Sequence, residues 1–344
     1  MNDNHSFSNP YPLTLFACGY NLQLAQSIAK KLKISLGPTN VKTFPDGDFF
    51  RYQTVTVRDH NIFVVAQFRN GDDKYKDIFE AITFITSLRQ ASPKSWITVI
   101  IPSSLPFDRQ DKKSAGPSVK EPSIEPVLSQ SLPILFKAVG ADHLVVVKLH
   151  NPASCTNFPM IKMEDVDTTP SLIEHIRSKF TDFKNIKMVA SDFGAGKSTG
   201  QIAKELEIPV AIIHKDRNPQ TGKIEIMDVI GKVNGFTLIL FDDILDTANT
   251  ISEGVIALKE RNCGDIHGVF THPVLSGNAL HKISEAGFKS VTLTNSCLIS
   301  SNQISLAKEL NINLEIVDIS RLLAGTIYNL HNGYSINSPY DVAE

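Results

Sequence analysis

The stretch Leu238-Ile239-Leu240-Phe241-Asp242-Asp243-Ile244-Leu245-Asp246-Thr247-Ala248-Asn249-Thr250 decides how this 344-residue chain is read. An apolar run at 236–241 ends in two adjacent carboxylates. A short turn of small and hydroxyl residues follows, and a helical pattern begins at 250. Asp242 and Asp243 are thus expected at the carboxyl end of a buried strand, where they can accept hydrogen bonds from sugar hydroxyls. The turn directs backbone N–H groups toward a phosphate, and the helix N-terminus adds positive partial charge. Thr247 and Thr250 can donate hydroxyl hydrogen bonds, and Thr250 also suits an N-cap. The segment reads as a site for a phosphorylated sugar. A solvated turn with Asn249 in a left-handed conformation would use the same Asp-Asp pair. Asp246, Thr247 and Thr250, at the spacing a phosphate loop uses, favour the site.

Working outward, strands alternate with helices. Upstream, strands are expected at 13–18, 61–68, 96–102 and 143–149, with helices at 21–33, 73–91 and one ending at 139. The segment 103–122 carries prolines and lysines without periodicity and reads as a loop. The pattern restarts with a helix at 170–180, strands at 186–190, 209–214 and 236–241, and helices at 200–206 and 250–261. Further strand–helix units run through Val269, Val291 and Val317 to a last helix at 319–330. This predicts an α/β protein of two similar units, each a mostly parallel sheet flanked by helices. The expected division is 1–165, 166–330, and a tail at 331–344 that packs back on the first unit.

At 42% hydrophobic and 20% charged, the chain can bury two ordinary cores and does not read as disordered. A net charge of −2 argues against a general nucleic-acid binder and leaves a small anionic substrate open. Cys18, Cys155, Cys263 and Cys297 are far apart and form no C-x-x-C pair, which fits a reducing compartment. The polar segment 1–12 lacks a signal-peptide pattern, and no apolar run approaches the ~18 residues of a membrane span. A soluble cytoplasmic protein without a membrane partner is expected.

Ser191-Asp192-Phe193-Gly194-Ala195-Gly196-Lys197-Ser198 imitates two nucleotide motifs. It ends like a Walker A loop, but Ser191 stands where the first glycine belongs. It contains Asp-Phe-Gly, yet no His-Arg-Asp precedes it and no Gly-rich loop opens the chain. What survives is a strand, Asp192, and a glycine-rich turn with Lys197. Such a turn suits an anion or a metal–phosphate complex. A plain turn with an exposed lysine would use the same residues.

Several separated motifs then converge on one family. Phe44-Pro45-Asp46-Gly47-Asp48 and Pro106-Phe107-Asp108-Arg109-Gln110-Asp111-Lys112-Lys113 lie in the first half, followed by Leu149-His150. Asp192 to Lys197, His214-Lys215-Asp216-Arg217 and Asp242 to Thr250 follow in order. Together they resemble the ribose-phosphate diphosphokinases, also called phosphoribosyl pyrophosphate synthetases, over about 13–338. The resemblance implies two phosphoribosyltransferase-type domains, the first for ATP binding and oligomerisation, the second for ribose phosphate. It implies that Arg109, Gln110 and His150 hold ATP, and that Phe44, Asp46 and Asp48 reach the adenine of a neighbouring subunit's ATP. A dimer-based homo-oligomer, up to a hexamer, follows from that. His150 and Asp192 would hold Mg²⁺ with the triphosphate. Asp242 and Asp243 would bind the ribose hydroxyls, while Asp246, Thr247, Ala248, Asn249 and Thr250 cradle the 5-phosphate.

Lys215 and Arg217 would be the catalytic cations. Diphosphoryl transfer needs in-line positioning and neutralisation of charge on the transferring group and the leaving AMP. The implied reaction makes phosphoribosyl pyrophosphate and AMP from ATP and ribose 5-phosphate. Departures from the pattern mark a divergent member. Asn249 replaces a glycine and would crowd the phosphate. Lys148 replaces an acid near the metal, and Asp108, beside Arg109, would compete for that cation. The basic segment after Lys113 becomes Ser114-Ala115-Gly116-Pro117. Thr56, Arg58 and Ser335 remain compatible with a regulatory phosphate or ADP site. These departures also leave room for a non-catalytic regulatory paralogue. The 241–250 loop alone would equally suit a phosphoribosyltransferase.

Overall fold

Leu238 to Phe241 lie in the central strand of a seven-stranded sheet, and the chain around them divides into two units. One is Met1–Asp167 together with Ile319–Glu344, and the other is Thr168–Asp318. The computed structural model describes residues 9–19, 22–110, 126–155, 160–217 and 224–338, without the side chains of 215–217 and 224–227.

The first unit runs β1 (Leu13–Cys18), α1 (Gln23–Lys31), β2 (Thr39–Thr43), β3 (Phe49–Gln53), β4 (Asn61–Ala66), α2 (Asp73–Ala91), β5 (Trp96–Ile101), α3 (Ser131–Ala138), β6 (His143–Val147) and β7 (Lys162–Val166). β2 and β3 form an antiparallel hairpin. The others make a parallel sheet in the order β1-β4-β5-β6-β7. Alternate residues serve opposite faces. Phe16, Val64, Val99 and Val146 pack against Phe84 and Leu88 of α2 and Phe136 of α3. Leu15, Phe63, Ile100 and Val145 pack against Ile28 of α1 and against Leu323 and Ile327 near the chain's end. Both faces are buried over β4, β5 and β6, so these strands read as nearly continuous apolar runs.

The second unit runs α4 (Thr169–Lys179), β8 (Ile186–Ala190), α5 (Gly196–Leu206), β9 (Val210–Arg217), β10 (Ile224–Ile230), β11 (Thr237–Leu245), α6 (Asn249–Lys259), β12 (Ile266–Pro273), α7 (Ala279–Ala286), β13 (Ser290–Thr294), α8 (Ser301–Glu309) and β14 (Leu314–Val317). The sheet order is β10-β9-β8-β11-β12-β13-β14, and only the β10–β9 pairing is antiparallel. Leu238 and Leu240 pack with Val255 and Leu258 of α6. Ile239 and Phe241 pack with Ile173 of α4 and Ile202 of α5.

Three boundaries differ from those expected. The last helix, α9 (Ser320–His331), belongs to the first unit, because Leu323, Ala324 and Ile327 complete its core. The return therefore begins at Ile319 and not at 331. β9 continues through Lys215 to Arg217, because Ile224 to Ile226 pair with it. β11 extends past the apolar run to Leu245, held by pairing of Asp242, Ile244 and Leu245 with β12.

Candidate active-site segments

In the second unit the carboxylates sit inside the end of β11, not beyond it. Phe241 pairs with Ala190 on one side and Val269 on the other, and Asp242 pairs with Phe270. Burial pushes the Asp242 carboxyl up to about 6; the Ser191 hydroxyl opposes the rise, and the charges of Asp243 and Asp192 add to it. Asp192, Asp242 and Asp243 thus form one electrostatic group at the ends of adjacent strands. Asp243 N–H donates to Asp242 Oδ1 at 2.8 Å.

Backbone hydrogen bonds pin the turn after β11. Leu245 carbonyl accepts from Val274 and Leu275 N–H at 3.0 and 2.9 Å, and Asp246 carbonyl from Ser276 N–H at 3.1 Å. Ala248 occupies the N-cap position of α6 with φ 59°, a left-handed conformation that costs an L-residue about 1–2 kcal/mol. The first helical bond runs from Ser252 N–H to Ala248 carbonyl at 2.9 Å. No side chain caps α6, and among the described residues no acceptor takes the N–H of Asn249, Thr250 or Ile251. Thr247 is exposed and Thr250 half-buried beside this open helix end. An uncapped N-terminus with two hydroxyls has the donor geometry of an anion site.

One expectation needs correction here. Thr250 is not the N-cap, because the helix starts one residue earlier and Thr250 is its second residue. The left-handed residue is Ala248, so the alternative of a solvated turn with a left-handed Asn249 does not describe this turn. The Asn249 side chain does not hang free beside the phosphate position either; its Oδ1 accepts from Lys282 Nζ.

On the neighbouring strand end, Asp192 Oδ1 accepts from Ala195 N–H at 2.9 Å and shapes the turn into α5. A Cβ on Gly194 would come within 3.1 Å of that oxygen. Phe193 meets the His214 ring edge-on at 5.2 Å, which brings this turn beside β9. Lys197 is exposed in the first turn of α5.

In the first unit, Asp108 is 3% exposed and its Oδ2 accepts from His150 N–H at 2.6 Å. It ties the 107–110 segment to the Leu149-His150 turn. Leu149 N–H donates to Asp165 Oδ1 at 3.0 Å. Burial pushes Asp165 up to about 6, against the pull of the Leu149 N–H and Lys148. Lys148 Nζ lies 3.2 Å from Asp167 Oδ1. Phe107 and Lys148 both have left-handed φ, 66° and 45°, at the two joined turns. Such clusters of strained residues are typical of functional sites. Arg109, Gln110 and His150 are exposed at this junction. Asp111, Lys112, Lys113 and the segment 114–117 lie outside the described residues.

The β2–β3 hairpin carries Phe44, Asp46 and Asp48 at its tip. Phe44 N–H donates to Asp48 carbonyl at 2.7 Å, and Asp48 N–H to Asp46 Oδ1 at 3.1 Å. Gly47 takes φ 95°, which closes the turn. The exposed Phe44 ring has Lys42 Nζ 4.8 Å from its centroid. Lys215 and Arg217 lie on β9; nothing of their side chains is described.

The description "N-terminal domain of ribose phosphate pyrophosphokinase" matches residues 13–130, and "Phosphoribosyl synthetase-associated domain" matches 219–340. A ribose-phosphate pyrophosphokinase from Bacillus cereus is 31% identical over 301 residues, 87% of this chain and 90% of the relative. This chain belongs to the ribose-phosphate pyrophosphokinase family. The Bacillus caldolyticus family member is 30% identical, covering 96% of this chain and 98% of its own length. The crystal structure of phosphoribosylpyrophosphate synthetase from Mycobacterium smegmatis superposes with a TM-score of 0.82 at 29% identity, covering 94% of this chain and 99% of that one.

Within the ribose-phosphate pyrophosphokinase frame, three site features had no sequence signal. Ser191 acts on Asp242 only because β8 and β11 are neighbours. Asp165 reaches Leu149 from β7, an edge strand whose mixed charges hide it. Lys282 reaches Asn249 from α7, 33 positions away. Among the described residues, no helix is long and apolar enough to cross a membrane, and no three His, Cys, Asp or Glu side chains gather around a metal position.

Proposed function

We propose that this chain transfers diphosphate from ATP to the anomeric hydroxyl of ribose 5-phosphate, with Mg²⁺, giving phosphoribosyl pyrophosphate and AMP. The supporting observation is the open N-terminus of α6 beside Asp242 and Asp243, in a chain of this family. The anomeric oxygen attacks the β-phosphorus. The bond from that phosphorus to the oxygen bridging the α-phosphate breaks, and AMP leaves with the electron pair. The hydroxyl proton passes to solvent.

Asp242 and Asp243 accept from the ribose hydroxyls and fix the anomeric oxygen. Thr247, Thr250 and the first N–H groups of α6 hold the 5-phosphate. Arg109, Gln110 and His150 hold ATP, with Phe44, Asp46 and Asp48 serving the adenine of a neighbouring copy in a homo-oligomer. Lys215 and Arg217 neutralise charge on the transferring group and on the leaving AMP. Asp192, with one oxygen engaged by Ala195 N–H, has the other left for a hard cation that keeps several waters and enters with phosphates, and His150 is exposed in the first unit. His150 and Asp192 would be its protein donors, and Mg²⁺ would supply charge neutralisation on the triphosphate.

The test is AMP formation from ATP and ribose 5-phosphate across Mg²⁺ and phosphate concentrations. Release of AMP that requires ribose 5-phosphate is expected; none at any setting overturns the reaction. Lys215→Ala should lose about a hundredfold in kcat, as for one strong transition-state contact. A Lys215→Ala chain as fast as the parent would remove the catalytic assignment.

A further inference from the structure

Lys282 projects from α7 to the first turn of α6, where its ammonium donates to Asn249 Oδ1. The meeting is built in: Ser252 Oγ of α6 donates to the Lys282 carbonyl at 3.2 Å, which fixes the backbone of α7 against that turn. Among the described residues, no carboxylate lies within salt-bridge distance of Lys282. Its charge is oriented by a neutral amide, with no carboxylate partner among the described residues.

This is the wrong end of a helix for a cation. Helix N-termini carry positive partial charge, so an ammonium there is repelled where a carboxylate would be welcome. The repulsion is sharpened because, among the described residues, the N–H groups of Asn249, Thr250 and Ile251 have no acceptor. Uncapped donors and an ammonium held only by a neutral amide, meeting at one turn, match a doubly negative group lying between them. Asn249 is the hinge of the arrangement. Its side chain draws the ammonium toward the loop and is itself drawn aside, so the residue that stands in place of glycine gains a function.

We propose that Lys282, held by Asn249, is an additional binding cation for the 5-phosphate of the sugar phosphate, an inference that rests on the function proposed above. Its contact is with the non-reacting end of the substrate, so it governs affinity for ribose 5-phosphate and not the affinity for ATP.

The test uses the full-length chain, with steady-state kinetics and calorimetric titration of ribose 5-phosphate in parallel. Lys282→Met is expected to raise KM and Kd for ribose 5-phosphate about tenfold, as one charge-assisted contact does, while KM for ATP stays near the parent's. Lys282→Arg restores the charge and should recover most of the affinity. Asn249→Gly should weaken binding less, and should add almost nothing in the Lys282→Met background, because the pair acts as one unit. If Lys282 merely ties α7 to α6, Lys282→Met lowers Tm and leaves KM and Kd unchanged, which overturns the proposal. If Lys282→Met fails to fold, Lys282→Gln under the same titration decides between the same outcomes. A parent that makes AMP, with variants that bind as it does, sinks this role alone. A parent that neither makes AMP nor binds ribose 5-phosphate sinks both.

Discussion

The loop of the second unit is held by backbone, whereas the joined turns of the first are held by buried carboxylates. At 245–246 the fastening groups are carbonyls that accept from Val274, Leu275 and Ser276 N–H. Thr247 and Asn249 are exposed there, and among the described residues the first N–H groups of α6 have no acceptor. At 107–110 and 148–150 the fastening groups are Asp108 and Asp165, each accepting a backbone N–H. Acidic residues that look equivalent in sequence therefore do different work. Asp242 sits at a strand end where burial disfavours its charge, while Asp108 accepts the His150 N–H and joins the turn that carries Arg109 and Gln110 to the one that carries His150.

Four experiments would break or sharpen this contrast. The largest effect is expected at Asp242. Asp242→Asn should raise KM for ribose 5-phosphate between about tenfold and a hundredfold, through loss of one or two charge-assisted hydrogen bonds. Its Tm should not fall, since a carboxyl that burial disfavours has been removed. A KM equal to the parent's would end the contrast. Asp108→Ala should behave in the opposite way, costing about 1–3 kcal/mol by orphaning the His150 N–H. Denaturant unfolding would show this loss, and Asp108→Asn, which keeps an acceptor, should show less of it.

The pH dependence follows from the raised carboxyls. Asp165 and Asp242 titrate near 6 in the fold against 3.8 for the free group. Between those values the native state holds protons that the unfolded chain has released, so these two groups make stability fall as pH rises through the window. Asp165→Asn should therefore gain stability over the parent at about pH 7 and none at about pH 4. An equal difference at both pH values in thermal unfolding would refute that sign. The smallest effect is at Ala248. Ala248→Gly relieves a left-handed Ala and should stabilise by up to about 1 kcal/mol, read as a small rise in Tm. A drop would show that the loop's conformation is not strained.

Sequence made the central elements legible wherever burial on two faces produced unbroken apolar runs. Leu238 to Phe241 is one such run, and β4, β5 and β6 are others. It failed where a strand continues on pairing alone. Asp242 and Asp243 look like the end of a strand by composition, yet β12 carries the ladder on to Leu245. β10 was invisible, and with it the reason that Lys215 to Arg217 are strand and not loop. The turn between β11 and α6 was legible as a turn, but its left-handed residue was not; the sequence offered Asn249 for a solvated turn because Asn tolerates positive φ better than Ala. The actual choice is fixed by tertiary bonds to 274–276, which no local pattern encodes. The partners Ser191, Asp165 and Lys282 come from other strands and helices, so only the fold could supply them.

The chain leaves the first unit after Asp167 and returns to it at Ile319. During synthesis, then, the first unit is begun but left with one side of its sheet only partly covered, by α1. Leu15, Phe63, Ile100 and Val145 wait for Leu323 and Ile327, which are made after the second unit. The second unit is contiguous and can close while that surface is still partly bare. The half of the molecule that starts first is the half that finishes last, and its exposed apolar side is what a nascent chain must be kept from losing to the wrong neighbour.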